Sequence, residues 1–193
     1  MEKGLLILFK RLKSKFTPPA ELPKLLVIGH GRHGKDTVCE ILRDEYNFSF
    51  ESSSQFCSKL FIFDQLKEKY GYANEIECYA DRHNHRAEWY DAICAYNVPN
   101  AALLGTNIFK EHNIYCGLRN KKEFFAMKNA GVFDYAIWVD RSEHLPLEPR
   151  SSMTIEQWMT DYTIDNNGSL EDLKFNVKQF IDSKLNFNRA IWL

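Results

Sequence analysis

An apolar segment runs directly into a glycine-rich loop at residues 25–37, whose sequence is LLVIGHGRHGKDT. The first four residues predict a buried strand, and Gly29-x4-Gly34-Lys35 followed by a helical period predicts a phosphate-binding loop. Glycines let backbone N–H groups wrap closely around an anion, and the following helix presents its positive end to it. The alternative is an ordinary strand–turn–helix connection in which the glycines serve only to make the turn tight.

Lys35 adds a mobile cation that can follow the β- and γ-phosphates of a nucleotide. The next position usually carries Ser or Thr as a magnesium ligand, whereas here Asp36 stands there and Thr37 follows. A carboxylate can bind Mg²⁺, but it also brings negative charge beside a triphosphate. Asp36, Thr37 and a bridging water therefore all remain candidate ligands.

Beyond the loop, short apolar runs alternate with segments of helical period from residue 24 onward. This alternation is typical of a parallel sheet covered by helices on both faces. Helices are predicted after the loop, over 58–70, 82–96 and 101–111, and from Ser169, where Ser169-x-x-Asp172 offers a capping box. The predicted strands are 25–28, 48–51, 114–116, 136–139 and 163–164.

The charge balance argues against a protein that binds long nucleic acids. The chain has 193 residues, 25 Lys and Arg against 26 Asp and Glu, and a formal net charge of -1. Without a broad positive field to gather a polyanion, phosphate recognition is expected to be local. A hydrophobic content of 45% suits one globular domain.

Cysteine usage and hydropathy favour a cytoplasmic protein. The five cysteines form no C-x-x-C pair, which favours reduced thiols, and no apolar run approaches the roughly 18 residues of a membrane span. Residues 1–20 have a basic amphipathic pattern that predicts a frayed or self-packed helix, or one that touches a membrane or a partner. Stable membrane insertion is not expected, and the oligomeric state stays open, a homodimer included.

A second group of candidate residues lies at 82–89. At helical spacing, Arg82, His85, Arg86 and Trp89 share one face. Two arginines one turn apart repel each other unless an anion sits between them, so this face is a candidate site for an acceptor phosphate, with Trp89 stacked on a base. The alternative is a surface network neutralised by nearby carboxylates, with Trp89 packed inward.

Ligands of α/β sheets bind at the carboxyl ends of the strands. The sequence has Arg119 after the third predicted strand and Arg141 after the fourth, at the start of a polar, proline-bearing stretch. This stretch, 140–158, predicts a lid that brings arginines onto a transferring phosphoryl group, although Arg141 alternatively is a solvated charge. Ser53 after the second strand suits an acceptor phosphate or a helix cap, and Asn166 and Asn167 suit a tight turn that borders an adenine.

Three blocks together resemble the P-loop nucleoside monophosphate kinases, most closely the deoxynucleoside monophosphate kinases of bacteriophages. They are GHGRHGKDT at 29–37, YCGLRNKKEF at 115–124 and IDNNGSLEDL at 164–173. The resemblance implies a three-layer α/β/α fold with a five-stranded parallel sheet. Residues 21–193 would form the kinase-like domain, with 71–112 as a helical acceptor-binding region, 140–158 as a short lid and 1–20 as an extension.

The resemblance implies transfer of the γ-phosphoryl group of ATP, with Mg²⁺, to a (deoxy)nucleoside monophosphate in the cytoplasm, that of the host if the protein is viral. One departure is that the strand ending at Cys116 lacks the aspartate often found there in relatives. The catalytic residues would be Lys35, Arg119 and Arg141, and Asp36 and Thr37 are the candidate metal ligands. ATP would be bound by Gly29, His30, Gly31, Arg32, His33, Gly34, Lys35, Asp36, Thr37, Asn166 and Asn167. The acceptor would be bound by Ser53, Arg82, His85, Arg86, Trp89 and Arg119.

Mechanism narrows the function classes. An acceptor phosphate is already an anionic nucleophile, so a monophosphate kinase needs alignment and charge neutralisation and no strong base. A kinase of a hydroxyl group needs a carboxylate at the end of the second strand, where Glu51 is the only candidate. The alternatives are therefore a kinase of another small metabolite and a nucleotide-binding regulatory protein with weak ATPase activity.

Overall fold

The structure is a computed structural model that describes residues 21–150 and 152–185. Within this part of the chain, five parallel strands form one sheet in the order β2-β3-β1-β4-β5. The central strand β1 pairs with β3 and β4, so that Leu26 lies opposite Tyr115 and Ala136. The strands are β1 (Leu25–Ile28), β2 (Phe50–Ser52), β3 (Ile114–Cys116), β4 (Tyr135–Asp140) and β5 (Tyr162–Asp165). The helix predicted at 1–20 lies outside the described residues.

Helices connect the strands. Single π-helical turns follow α2 and α8, at Ser58–Ile62 and Ile181–Leu185, and a 3-10 turn at Gln157–Met159 precedes β5. The capping box predicted at Ser169 and Asp172 is present at the start of α8. The helices are α1 (Lys35–Tyr46), α2 (Ser53–Cys57), α3 (Phe63–Tyr70), α4 (Glu75–Asp81), α5 (Arg86–Tyr96), α6 (Leu103–Glu111), α7 (Lys121–Asn129) and α8 (Leu170–Phe180).

The sheet separates two apolar cores because side chains alternate along each strand. On β1, Leu25 and Val27 pack with α1 and α8, whereas Leu26 and Ile28 pack with the helices that lie between β2 and β4 in the sequence. All four residues are fully buried, as expected for a central strand that is covered on both faces. The predicted three-layer α/β/α architecture is therefore confirmed.

The second strand lies slightly later than predicted. The sequence predicts it over 48–51, whereas β2 covers Phe50–Ser52. Asn47 ends α1 in the left-handed conformation, and Phe48, although buried, still belongs to the turn that follows. Phe48 therefore contributes to the core pattern without belonging to the strand.

The helix predicted over 82–96 is present only over Arg86–Tyr96, so its predicted start is wrong. Helix α4 ends at Asp81 and α5 begins at Arg86, so residues 82–85 form a turn. The Asp81 carboxylate accepts hydrogen bonds from Tyr72 and Asn84 and contacts His85. These contacts stabilise the turn at the end of α4, and no periodicity in the sequence announces them.

No helix among residues 21–150 and 152–185 is long and apolar enough to cross a membrane.

Candidate functional site

The loop of residues 29–34 joins β1 to α1 at the carboxyl edge of the sheet. Gly29 and Gly34 have φ angles of 152° and 92°, which L side chains rarely adopt. A Cβ on Gly29 would lie 2.5 Å from the Val139 carbonyl oxygen, and a Cβ on Gly34 would collide with the side-chain amide of Asn166. Both glycines are therefore required for the path of the loop.

Helix α1 begins without a side-chain cap. Its N-cap residue is Gly34, whereas the side chains of Ser52, Asn74, Asn120 and Ser169 cap α2, α4, α7 and α8. Since the first amides of α1 have no side-chain acceptor among the described residues, the positive end of the helix stays available to a ligand. Together with the glycine loop, this arrangement suits an anion.

Lys35 lies on the first turn of α1 and is only 9% exposed. Its Nζ donates a hydrogen bond to the His30 carbonyl oxygen across the loop, at 2.7 Å. Burial lowers the pKa of this ammonium group, although neighbouring acidic groups oppose the shift. The lysine is thus held at the inner edge of the loop, where a bound anion would restore the charge balance.

The segment that the sequence predicts to be a lid lies against the loop through Glu148. Its Oε2 accepts a hydrogen bond from the Gly31 amide at 2.8 Å and another from the Arg119 guanidinium at 2.7 Å. Burial by itself would raise the pKa of Glu148, but the Arg119 hydrogen bond and charge and the Gly31 amide lower it below its usual value. An amide of the loop and an arginine from the end of β3 therefore converge on one negatively charged oxygen.

The two loop histidines hold the lid backbone. Nδ1 of His30 accepts the amide hydrogen of Glu148, and Nδ1 of His33 accepts that of Arg141, both at 3.0 Å. Burial is the main cause that lowers the pKa of His30, which favours the neutral ring that this acceptor role needs. Arg32 lies in the same loop, exposed and with a φ angle of 65°.

Asn166 and Asn167 support the loop and the lid. The buried Asn166 donates from Nδ2 to the His33 carbonyl oxygen at 2.9 Å, and its own carbonyl oxygen accepts from the Arg141 guanidinium. Asn167 accepts the amide hydrogen of Glu143. Asn166 thus lies beside the loop and its side chain is engaged in holding it, whereas Asn167 contacts the segment after β4; the prediction that both border an adenine stays a prediction.

The candidate metal ligands lie on the first turn of α1. Asp36 is exposed and Thr37 is half-buried, and the Cys116 thiol at the end of β3 lies 3.6 Å from the Asp36 carboxylate. No group of three or more His, Cys, Asp or Glu side chains in 21–150 and 152–185 forms a metal cage. Mg²⁺ in phosphate-binding sites uses one or two protein oxygens plus the phosphates, so the hard oxygens of Asp36 and Thr37 fit this ion.

The predicted acceptor face is not continuous. Arg82 belongs to the turn, where its guanidinium lies 3.9 Å from the centre of the Tyr79 ring and donates to the Tyr79 carbonyl oxygen. His85 precedes α5 and stacks on Tyr70 at 3.9 Å. Arg86 starts α5 and lies 3.4 Å from the His83 ring. The prediction that the four residues share one helical face is therefore wrong, because the helix begins only at Arg86.

Trp89 and Ser53 are held by the protein core. Trp89 is 4% exposed and packs in the core, so its ring has no free face for a base, and the alternative of inward packing is the one observed. Ser52 caps α2 through Gln55, which leaves Ser53 outside the capping role. Ser53 instead lies near the hydroxyl of the buried Tyr115.

Three features escape the sequence reasoning. Glu148 is one, although a carboxylate between Pro146 and Pro149 in a predicted lid is a usable signal. The second is the ion pair of Glu51: the sequence offers this carboxylate as a base, but the structure pairs it, 6% exposed, with the Lys59 ammonium at 2.7 Å. The third is a buried carboxyl network around Glu123 under β3.

The carboxyl of Glu123 on α7 accepts a hydrogen bond from the Tyr115 hydroxyl at 3.1 Å. Burial raises the pKa of Glu123 to about 7, and the nearby side chains of Tyr115 and Asn97 oppose this shift. Because Tyr115 also contacts Ser53, the network links the end of β2 with the helical region.

Comparison with known proteins identifies the fold. No protein-family model matches the chain, and no curated protein sequence matches it. Among solved structures, shikimate kinase from Aquifex aeolicus is similar at a TM-score of 0.51 and 14% identity, over 87% of this chain and 98% of that chain. The chain thus shares the α/β fold of that shikimate kinase, and at this identity the likeness concerns the fold alone.

Two further similar structures have lower scores. Shikimate kinase from Acinetobacter baumannii in complex with shikimate has a TM-score of 0.48 at 12% identity, over 87% of this chain and 95% of that chain. A gluconokinase from Sinorhizobium meliloti has a TM-score of 0.44 at 11% identity, over 86% of this chain and 97% of that chain.

Proposed function

We propose that the protein is an ATP-dependent kinase that transfers a phosphoryl group to a (deoxy)nucleoside monophosphate. One observation carries this proposal: the Gly31 amide and the Arg119 guanidinium converge on a single anionic oxygen beside the uncapped start of α1. These are the donors that a phosphoryl group requires, and they come from the ends of two adjacent strands. The proposal agrees with the resemblance to the deoxynucleoside monophosphate kinases of bacteriophages.

The roles of the residues follow from their positions. The loop amides and Lys35 would hold the phosphates of ATP, with Lys35 exchanging its bond to the His30 carbonyl for one to a phosphate. Arg119 would stabilise the charge that develops on the transferring group, and Arg141 would join it from the lid. Asn166 would keep the loop in shape beside the adenine edge, and Asn167 would line that edge.

Asp36 and Thr37 would hold Mg²⁺ together with the phosphates. The bound ion would neutralise phosphate charge, and the protein would supply only one or two oxygens. The contact between Asp36 and the Cys116 thiol orients the carboxylate toward the end of β3. The thiol stands where relatives often carry an aspartate, so this chain would offer less acidic charge to the ion.

The acceptor would lie toward Ser53, the turn that carries Arg82 and His85, and Arg86 at the start of α5. Charge supports a monophosphate, because an anionic acceptor needs cations and no strong base. The nearest base candidate, Glu51, is ion-paired with Lys59 and accepts from the Ser52 amide as well. Both carboxylate oxygens of Glu51 are therefore already engaged by donors of the protein.

A second candidate function is a kinase of a hydroxyl-bearing metabolite. The observation that favours it is the same Glu51, a buried carboxylate at the carboxyl end of β2. If Lys59 moved aside, Glu51 would be placed to take a proton from a hydroxyl. Reduced cysteines, all five of them free, agree with a cytoplasmic location for either kinase.

An acceptor screen tests both candidates. Purified protein is incubated with ATP, Mg²⁺ and one acceptor at a time: the common ribo- and deoxyribonucleoside monophosphates, a set of nucleosides and a set of sugar acids. The products are identified by mass spectrometry. We expect one or more diphosphates and equal amounts of ADP. Product only from hydroxyl acceptors, lost in Glu51→Gln, would favour the second candidate. ATP binding without any product would favour a nucleotide-binding regulatory protein over both kinases.

A further inference from the structure

We propose that Glu148 is an internal competitor for the nucleotide, a carboxylate that takes a phosphoryl position in the loop and keeps the site closed until ATP displaces it. The inference deepens the proposed function and rests on it, because it assigns a form of regulation to the same site. The segment concerned is the strap, defined as residues 141–149.

The Glu148 carboxylate is chemically equivalent to a phosphate as a hydrogen-bond acceptor. A carboxylate oxygen and a phosphate oxygen accept the same charge-assisted hydrogen bonds from backbone amides and guanidinium groups. Glu148 Oε2 receives one of each, from Gly31 at 2.8 Å and from Arg119 at 2.7 Å. A phosphoryl oxygen of ATP that accepts from the Gly31 amide and from Arg119 cannot do so while Glu148 is in place.

The strap is held near both ends by the loop, and this fixes the position of Glu148 beside the Gly31 amide. The backbone amide of Arg141 donates to His33 and that of Glu148 donates to His30. Pro146 and Pro149 restrict the backbone on either side of Glu148. The contact therefore follows from the conformation of the whole segment.

The ion pair between Glu148 and Arg119 is partly buried and fills the space at the loop. The Glu148 side chain is 17% exposed and that of Arg119 is 34% exposed, so the pair is partly withdrawn from water. A Cβ added to Gly31 would already lie 3.1 Å from Glu148 Oε1, which leaves no room for a second anion at that point. The closed strap and the bound phosphate are thus mutually exclusive states.

The consequence is a population effect on affinity. A ligand that binds only the open state has its affinity reduced by the fraction of molecules that are open. If about one molecule in ten is open, removing the Glu148 charge should tighten ATP binding roughly tenfold. Displacement would also release Arg119 toward the transferring group.

The test is ATP binding by isothermal titration calorimetry in magnesium buffer. It compares the wild-type chain with Glu148→Gln, which keeps the shape of the side chain, and with Glu148→Ala, which removes its contacts. The control is Glu143→Gln, an exposed carboxylate in the same strap whose replacement changes the net charge equally. Adenosine, which has no phosphate, is the control ligand, and thermal unfolding checks that each variant folds.

We expect ATP to bind Glu148→Gln and Glu148→Ala roughly tenfold more tightly than it binds the wild type. The ATP affinity of Glu143→Gln should equal that of the wild type. No substitution should change the titration with adenosine. Without nucleotide, hydrogen exchange over 141–149 should be faster in Glu148→Gln than in Glu143→Gln. Unchanged or weaker ATP binding by the Glu148 variants would overturn the inference while leaving the proposed function intact.

The two failures are separable by the wild type alone. If wild-type protein binds ATP but forms no product with any acceptor, the proposed function fails and the competition can still be measured. If neither the wild type nor the Glu148 variants bind ATP, both fall together.

Discussion

The phosphate-loop side and the helical region at 71–112 use polar groups in opposite ways. Around the loop, groups that are far apart in the sequence converge: the Gly31 amide and the Arg119 guanidinium both donate to one carboxylate oxygen of Glu148. In the helical region, polar groups satisfy one another locally. Asp81 accepts from Tyr72 and Asn84, and Glu88 accepts from Lys69 and Tyr70.

This difference separates chemistry from packing. Long-range convergence of charged groups at a sheet edge is uncommon unless a ligand requires it, whereas local pairing stabilises helices and turns without any ligand. The loop side therefore carries the functional argument. The polar contacts of the helical region are explained by local packing without a ligand.

The largest effect is expected from Lys35→Met, which keeps the length of the side chain and removes the charge beside the phosphates. We predict that kcat/KM falls about a thousandfold, ~4 kcal/mol, because the cation acts where charge develops. Steady-state kinetics measure it. Lys110→Met, on the exposed surface of α6, is the control and should be unchanged. Retention of most activity in Lys35→Met would remove the loop from the mechanism.

The next effect concerns the buried carboxyl beneath the helical region. The pKa of Glu123 is raised to about 7 by burial, so the folded state prefers the neutral form. Its contribution to stability is full below the ordinary pKa of 4.5 and is lost as the pH rises toward 7.

The variant Glu123→Gln should remove that pH dependence. Relative to the wild type, its unfolding free energy should gain up to about 3 kcal/mol between pH 4 and pH 8. Denaturant unfolding at a series of pH values measures the difference. Parallel pH profiles for the two proteins would mean that Glu123 titrates normally.

A matched pair of glycines, one in each region, sharpens the comparison further. Gly34 and Gly71 both have positive φ angles, but a Cβ meets Asn166 only at Gly34, and nothing within 4 Å at Gly71. Gly71→Ala should cost about 1 kcal/mol of stability from backbone strain alone. Gly34→Ala should cost about 2 kcal/mol, because it also disturbs the Asn166 hydrogen bond to the loop.

Chemical denaturation of the two alanine variants tests this pair, and ATP titration adds a second readout. Only Gly34→Ala should weaken ATP binding. Equal losses of stability together with equal ATP affinities would show that the loop is no more constrained than a surface turn.

The smallest effect is expected at Arg86. Replacing it by alanine should raise the KM for the monophosphate about fivefold, ~1 kcal/mol, because an exposed charge contact contributes little. The KM for ATP should not change. Lys110→Ala is the control within the same region. Equal changes in both KM values would place Arg86 outside the acceptor site.

Much of the fold is predictable because its signals are local. β1, the loop and β3 lie where the sequence predicts them, since apolar runs of fixed length and a glycine pattern specify them without distant partners. The break between α4 and α5 is not predictable in this way. It depends on Asp81 collecting hydrogen bonds from Tyr72 and His85, which the spacing of arginines in the sequence does not indicate.

Site residues that belong to one short motif can be predicted from the sequence, whereas residues that the fold brings together from distant segments cannot. Lys35 and the glycines follow from one motif, and Arg119 follows from its place after a strand. Glu148 does not, because it is 117 residues from Gly31 in the sequence and its role depends on how the strap folds back. The same holds for Trp89, whose helical position fits either a binding face or the core until the packing is known.

The most direct test of the central claim is a calorimetric titration of the wild-type chain with ATP in magnesium buffer, beside adenosine and the Lys35→Met variant. The account predicts saturable binding of ATP at one site, competition by ADP, no heat from adenosine and strongly weakened binding to Lys35→Met. Absence of ATP binding to the folded wild-type protein, or equal binding to Lys35→Met, would contradict it.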